Sequence, residues 1–317
     1  MSRLAERATL EGYRAGWSLT RRMPPRLAYG LFDLIADVAW KRRGKGVERM
    51  RSNYATVRPE LTPAELDNLV RAGMRSYLRY WCDAFRLPDC TVDDLVARVR
   101  VSGVEPVRAH LQAGSSAVMF VGHLGNWDLG GAWSTTQLAP VVTVAERLKP
   151  EELFDEFLAF REGLGMRIFP LTGGNDVFRE LVKACRSGAL IALLADRDLT
   201  NGGIEVDFCG HRASMAVGPA ALAVMTGAAL HPCMFHYERE EQGPGWRTVV
   251  TFHDRVAVPA EGTSREKVQI MTQACADVLA REVREHTHDW HMMQRVFTKD
   301  LDEDLAPQQP EQPGQTR

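Results

Sequence analysis

Apolar positions along the chain recur with two different periods. In the first ninety or so residues the period is helical. Leu27, Leu31, Leu34, Ile35 and Val38 fall at i, i+4, i+7, i+8 and i+11, which predicts an amphipathic helix over 26–40. Residues 2–20 carry a fainter form of the same pattern, broken at Met23-Pro24-Pro25. Thr62, Pro63 and Glu65 stand as N-cap, N1 and N3 of a further helix. It carries Leu69, Met74, Tyr77 and Trp81, runs to about Phe85, and is stopped by Pro88. A strand at 99–101 and a helix at 105–112 follow. From Ser116 onward short apolar runs at 117–121, 141–145, 168–171, 189–195 and 230–235 alternate with helical patterns near 128–137, 150–162, 176–186 and 217–226. That alternation predicts an α/β fold with a mostly parallel central sheet flanked by helices. A strand at 246–252 and a helix opened by the capping box Thr263-Ser264-Arg265-Glu266 and reaching about Glu285 complete the ordered part.

The run at 117–121 is the most informative. Ala117-Val118-Met119-Phe120-Val121 ends at Gly122, and His123 follows at once, with Asp128 five residues on. A continuous apolar run bounded by glycine reads as a strand buried on both faces. Open α/β sheets bind their ligands where such strands end, so His123 stands at a ligand-binding position.

The chain has 317 residues, 45% of them hydrophobic and 25% charged, enough for one large core or two smaller ones. The net charge of −2 argues against a general nucleic-acid binder. It also hides an asymmetry. Residues 1–58 hold thirteen basic and five acidic residues, a balance of +8 that leaves −10 for the rest. A basic arm of this kind suits an anionic partner. Trp40 and Lys41-Arg42-Arg43-Gly44-Lys45 close the helix at 26–40, an arrangement that fits a membrane interface. A core-packing helix with a solvated basic cap has the same period, so the pattern leaves both readings open. The six cysteines are scattered with no Cys-x-x-Cys pair, as expected of reduced thiols in a cytosolic compartment. No apolar run reaches the roughly 20 residues of a membrane span. Glu6, Arg7, Glu11 and Arg14 interrupt any signal-peptide core. The expected organisation is therefore basic amphipathic helices at 1–58, part of the same domain as the α/β unit at 59–302, and a disordered tail at 303–317.

Several groups carry candidate chemistry. A neutral imidazole at His123 can take a proton from an attacking hydroxyl, given an acid to fix its tautomer. Asp128 would not share a helical face with it, since five residues turn about 140° beyond one revolution. The two meet only if His123 precedes the helix. Backbone N–H groups at Gly125-Asn126 could face a developing oxyanion. Ala195-Asp196-Arg197-Asp198 follows the run at 189–195 at the same kind of strand end. Asp196 is there a candidate to orient His123, Arg197-Asp198 reads as an ion pair, and a plain solvated turn explains the stretch equally well. Glu146-Arg147 follows a third run, and Arg161 lies near the end of the next helix, where it would hold a phosphate or carboxylate if buried and a surface ion pair if not. Gly173-Gly174 is a weak phosphate-cradle signal. His286, His288 and His291 have only Asp289 nearby and no set that completes a tetrahedral shell, so no metal is expected there. Neither Gly-x-Ser-x-Gly nor a nucleotide-binding glycine motif is present.

Taken together these stretches resemble the bacterial lipid A biosynthesis acyltransferase family, whose His-x-x-x-x-Asp motif is shared with glycerolipid acyltransferases. The resemblance rests on Gly122-His123-x-Gly125-Asn126-Trp127-Asp128 after a strand, Ala195 to Asp198, Val206-Asp207-Phe208-Cys209-Gly210, Gly218-Pro219-Ala220, Thr226-Gly227-Ala228 and Asp289 to Arg295. It covers roughly 5–302. Glu146-Arg147, Arg161 to Met166 and Leu171-Thr172-Gly173-Gly174 look like the actinobacterial branch that acylates phosphatidylinositol mannosides. The resemblance implies transfer of a long, palmitoyl-like chain from acyl-CoA as co-substrate, without another cofactor, to a mannose hydroxyl of the glycolipid, at the cytoplasmic face of the plasma membrane. It implies His123 as general base paired with the acid at Asp196, where that branch has Glu, so that the shorter Asp needs a small backbone shift. Asp128 is then mainly structural, and Glu146, Arg161, Arg197 and Asn126 belong to the binding groove. A lysophospholipid or lipid A-type acceptor, or a non-catalytic lipid-binding relative, would show the same motifs.

Overall fold

A computed structural model describes residues 12, 16–146, 151–171, 176–198, 202–240 and 245–300. Most of the helix expected at 2–20, together with Arg147, Gly173-Gly174 and the tail from 301, lies outside the described residues. The chain is α/β, with a seven-stranded sheet flanked by helices. Its strands are β1 (Val99–Ser102), β2 (Ala117–Val121), β3 (Val141–Glu146), β4 (Arg167–Leu171), β5 (Leu190–Leu194), β8 (Ala229–Arg239) and β9 (Trp246–Phe252). β6 (Ile204–Phe208) and β7 (His211–Met215) form a separate hairpin. The sheet order is β1-β9-β8-β2-β5-β3-β4, parallel at every pairing except the antiparallel β8–β9.

β2 is central and buried along its whole length. Successive strand side chains point to opposite faces. Val118 and Phe120 enter the core on one face, while Ala117, Met119 and Val121 enter the core on the other. Helices cover both faces, which is why the strand reads as unbroken apolar sequence. The register between β2 and β5 pairs Ala117 with Leu190 and Val121 with Leu194. The same offset carried two residues further sets His123 opposite Asp196. An Ala195 N–H to Val121 carbonyl bond of 2.8 Å keeps the strands together as they leave the sheet.

Among the described residues, residues 16–22 are helical and four further α-helices precede β1. They are α1 (Pro25–Arg42), α2 (Lys45–Val57), α3 (Pro63–Arg86) and α4 (Val92–Arg98). The capping box predicted at Thr62 and Glu65 is present on α3. α2 sends Val47, Met50, Tyr54 and Val57 into the core that β2 shares. α1 behaves differently. It buries Ala28, Phe32 and Ala36, and Asp37 holds it to α3 through bidentate pairs with Arg71 and Arg75. Those two guanidiniums hold the Asp37 carboxyl well below the usual range. The face picked out by periodicity points outward, with Leu27 and Leu34 each 61% exposed and Leu31, Ile35 and Val38 also exposed. The core-packing alternative for these five residues is therefore excluded. No helix among the described residues is long and apolar enough to cross a membrane.

The remaining helices are α5 (Glu105–Gln112), α6 (Trp127–Gln137), α7 (Glu151–Gly163), α8 (Asp176–Arg186), α9 (Gly218–Thr226) and α10 (Ser264–Glu285). α10 opens on the predicted capping box of Thr263 and Glu266. Four features depart from the sequence expectation: the pattern predicts no helix where α2 lies, it reads the stretch that forms α4 as a short connector, and two strand features differ. The β6–β7 hairpin turns on Cys209 and Gly210, both at positive φ (53° and 84°), the geometry of a tight two-residue turn. β8 extends past residue 235 to Arg239, because its outer half pairs with β9.

Candidate active site

His123 leaves the end of β2 and Asp196 leaves the end of β5. His123 Nδ1 lies 2.6 Å from Asp196 Oδ1, and the His123 backbone N–H donates to Asp196 Oδ2 at 2.8 Å. Asp196 is fully buried, whereas the His123 side chain keeps 19% of its surface exposed. Trp290 Nε1–H donates a further bond to Asp196 Oδ2, at 3.1 Å. Burial by itself would raise the Asp196 pKa. The charge of His123 and the hydrogen bonds from His123 and Trp290 outweigh it and hold the carboxyl below its ordinary value. An ionised Asp196 accepts the Nδ1 proton, so the Nε2 lone pair of His123 is left for chemistry. The shorter Asp closes both contacts.

Asp128 has other partners. Its carboxylate accepts Arg161 Nε at 2.8 Å, Arg161 Nη2 at 3.0 Å and the Tyr80 hydroxyl at 2.7 Å. Burial and the Asp128 charge push the Tyr80 phenol well up. The pair thus fixes α6 to α7 and α3. Asn126 is fully buried. Its Oδ1 caps α6 by accepting the Leu129 N–H at 2.9 Å, and its Nδ2 donates to Asp83 at 3.3 Å. Both ends of the amide are occupied, which makes Asn126 part of the scaffold. The Gly125 N–H, a candidate oxyanion donor in the sequence, bonds the Asp289 carbonyl at 2.8 Å. Gly125 itself is needed there: its φ is 59°, and a Cβ would come within 2.8 Å of the Phe235 backbone.

A groove opens over His123. Its walls include Tyr77, Trp127, Glu146, Arg161, Arg197 and His291. Glu146 and Arg197 pair across it at 3.1 Å. Beside the groove, and sharing Trp127, Val144, Arg161 and Leu194 with it, lies an apolar cavity between the sheet and α6. Met119 and Val121 of β2, Ala192 of β5, Phe235 of β8 and Met166 line the cavity. Gly130 and Gly131 of α6 permit the close approach, since a Cβ at Gly130 would meet the Phe235 ring within 2.2 Å.

The segment Asp289-Trp290-His291 supports this arrangement in a way that spacing could not reveal. Asp289 Oδ2 accepts the Tyr237 N–H at 2.8 Å, and the His291 N–H donates to the His123 carbonyl at 2.8 Å. Ser76 Oγ donates to Asp289 Oδ1, so its own lone pair accepts His291 Nε2–H at 2.9 Å. The three clustered histidines are thereby separated. His291 is buried beside the groove, His288 is 40% exposed, and His286 stacks on His236. All six cysteines are free thiols.

The profile of the bacterial lipid A biosynthesis acyltransferase family matches residues 5–299. A protein of Mycolicibacterium smegmatis named phosphatidylinositol mannoside acyltransferase is 40% identical over 295 residues, covering 92% of each chain. A protein of the same name from Mycobacterium tuberculosis is 39% identical over 305 residues, covering 95% of this chain and 92% of its own.

Burial pushes the His291 imidazole down to about 3, the Asp289 charge notwithstanding. Folded His291 is therefore neutral where the unfolded residue, with a value of 6.5, is protonated. Its share of stability is whole above that value and is lost as pH falls from 6.5 toward about 3. Between about pH 7.5 and about pH 5 the melting temperature of the wild type should drop more steeply than that of His291→Gln. Parallel slopes in thermal unfolding would show that His291 is not held neutral.

Proposed function

The chain belongs to the bacterial lipid A biosynthesis acyltransferase family and is an O-acyltransferase, and from that premise we propose that it moves a long, palmitoyl-like acyl chain from acyl-CoA to a mannose hydroxyl of a phosphatidylinositol mannoside. The observation that carries the mechanism is the His123–Asp196 pair of 2.6 Å, with His123 in the wall of a groove that lies beside an apolar cavity. The acceptor hydroxyl enters through the groove and gives its proton to His123 Nε2. Its oxygen attacks the thioester carbonyl as the proton leaves. The tetrahedral intermediate collapses with expulsion of the CoA thiolate, and His123 returns the proton to the sulfur. Asp196 stabilises the transient imidazolium. The cavity, lined by Met119, Val121, Ala192 and Phe235, takes the acyl chain out of water, at about 0.8 kcal/mol per buried methylene. The names of the mycobacterial relatives support the mannoside acceptor.

The outward face of α1 gives the protein its hold on a membrane. Leu27, Leu31, Leu34, Ile35 and Val38 are exposed, and Lys41 and Arg42 stand at the helix end. An apolar face rimmed by cations suits the cytoplasmic surface of the plasma membrane, where each near-surface cation adds about 1 kcal/mol on anionic lipid. The protein binds there peripherally or monotopically.

Mass spectrometry of products formed from palmitoyl-CoA with mannosylated phosphatidylinositol, a lysophospholipid and a lipid A precursor tests the acceptor and the base together. Acylation of the mannoside is expected to exceed that of the other two. His123→Ala should lose on the order of 10²–10⁴ in rate, and Asp196→Asn a comparable factor through the wrong tautomer. A preference for another acceptor would refute the substrate, while near-normal turnover by His123→Ala would refute the base.

In flotation with anionic liposomes the wild type should rise with the vesicles. A Leu34→Glu/Ile35→Glu variant should stay behind with its melting temperature unchanged, because both side chains are exposed. Equal flotation of the two would exclude this face as the membrane contact.

A further inference from the structure

Away from the groove, four side chains that acyl transfer does not use come together from three parts of the chain. Glu282 lies in the last turn of α10 and His286 caps the same helix, i and i+4. His236 comes from β8, and His253 follows β9 directly. The His236 and His286 rings lie parallel, with centroids 3.8 Å apart and planes 6° apart. One ligating atom from each of His236, Glu282 and His286 falls within 4.8 Å of the others. His253 Nε2 lies 3.3 Å from Glu282 Oε1, yet it is buried without a hydrogen-bond partner. All four side chains are sheltered, between 12% and 21% exposed. Two more carboxylates lie near the rings: Glu238 is 3.6 Å from His236 Nε2 and Glu285 is 4.0 Å from His286 Nε2.

We propose that His236, Glu282 and His286, with His253 at their edge, bind a divalent transition-metal ion, zinc foremost. Two imidazole nitrogens and a carboxylate oxygen form a borderline-soft set that suits zinc and does not suit calcium or magnesium, which take oxygen ligands. Zinc is bound at about 2.0–2.2 Å, so the ligand atoms must draw together by roughly 1 Å, a side-chain adjustment that leaves the backbone in place. An ion pair explains Glu282 and His253. It leaves His236 and His286 beside the same carboxylate unaccounted for, and a cation reached by a tilt of the two stacked rings accounts for all three. The site is structural. It joins the end of α10 to β8, three residues before Asp289, whose carbonyl and carboxylate hold Gly125 and Tyr237.

The test is metal content. The full-length protein is stripped with EDTA, exposed to zinc at neutral pH, passed through gel filtration and measured by inductively coupled plasma mass spectrometry. About one zinc per wild-type chain is expected, with less than about a tenth of that in Glu282→Gln/His286→Ala. His288→Ala, outside the cluster, should bind as the wild type does. Zinc should also raise the melting temperature of the wild type and leave that of the double variant unmoved. If the double variant does not fold, His236→Ala takes its place. A wild type that retains no zinc, or a variant that retains as much as the wild type, overturns the site.

Discussion

The structure depends on the register of two parallel strands. β2 and β5 pair with a fixed offset from Ala117–Leu190 to Val121–Leu194, and the chain keeps that offset for two residues beyond the sheet. The result is a 2.6 Å contact between an imidazole and a fully buried carboxylate that are 73 residues apart in sequence. A buried carboxylate is stable only when its charge is answered, and Asp196 is answered three times, by the ring and backbone of His123 and by Trp290. A register slip of one residue would turn over the two core faces of the strand that slipped, so the packing that makes the sheet also aims the pair.

Around that pair the polar groups divide into two sets. The His-x-x-x-x-Asp spacing joins them in sequence, but the structure gives Asp128 to Arg161 and Tyr80 and so uses it to lock three helices. The second set descends from Asp289-Trp290-His291, a strut that reaches the His123 carbonyl, the Gly125 amide and the Asp196 carboxylate from the far end of the chain. The strand-end loop that carries His123 would otherwise have few tertiary ties. Here the backbone on either side of Leu124 is tied to the strut, and Leu124 itself forms a bridge with Trp290. The groove and the apolar cavity lie side by side near this tied loop, sharing Trp127, Val144, Arg161 and Leu194.

Much of this was legible in the sequence wherever one short-range cause dominates. The fully buried strand at Ala117 to Val121, the capping boxes at Thr62 and Thr263 and the strand ends at His123 and Asp196 each follow from local pattern. The β6–β7 hairpin was missed although Ile204-Glu205-Val206-Asp207-Phe208 alternates cleanly, because its turn uses Cys209 at positive φ where asparagine or glycine is the usual signal. The periodicity of α1 marked the correct residues, and only tertiary packing could show that they face outward. Asn126 and the Gly125 N–H looked available for ligands because spacing does not reveal that a cap and a strut already occupy them. The cluster of His236, His253, Glu282 and His286 is invisible to spacing for the same reason, its members being scattered over fifty residues.

The central claim is that Asp196 fixes His123 in the tautomer that leaves Nε2 free to accept a proton. Nitrogen-15 NMR of histidine-labelled protein reads this directly at neutral pH. The pairing predicts that His123 carries its proton on Nδ1, with an Nε2 shift typical of a bare lone pair, and that Asp196→Asn disturbs this state. A His123 protonated on Nε2 in the wild type, or a tautomer indifferent to Asp196→Asn, would contradict it.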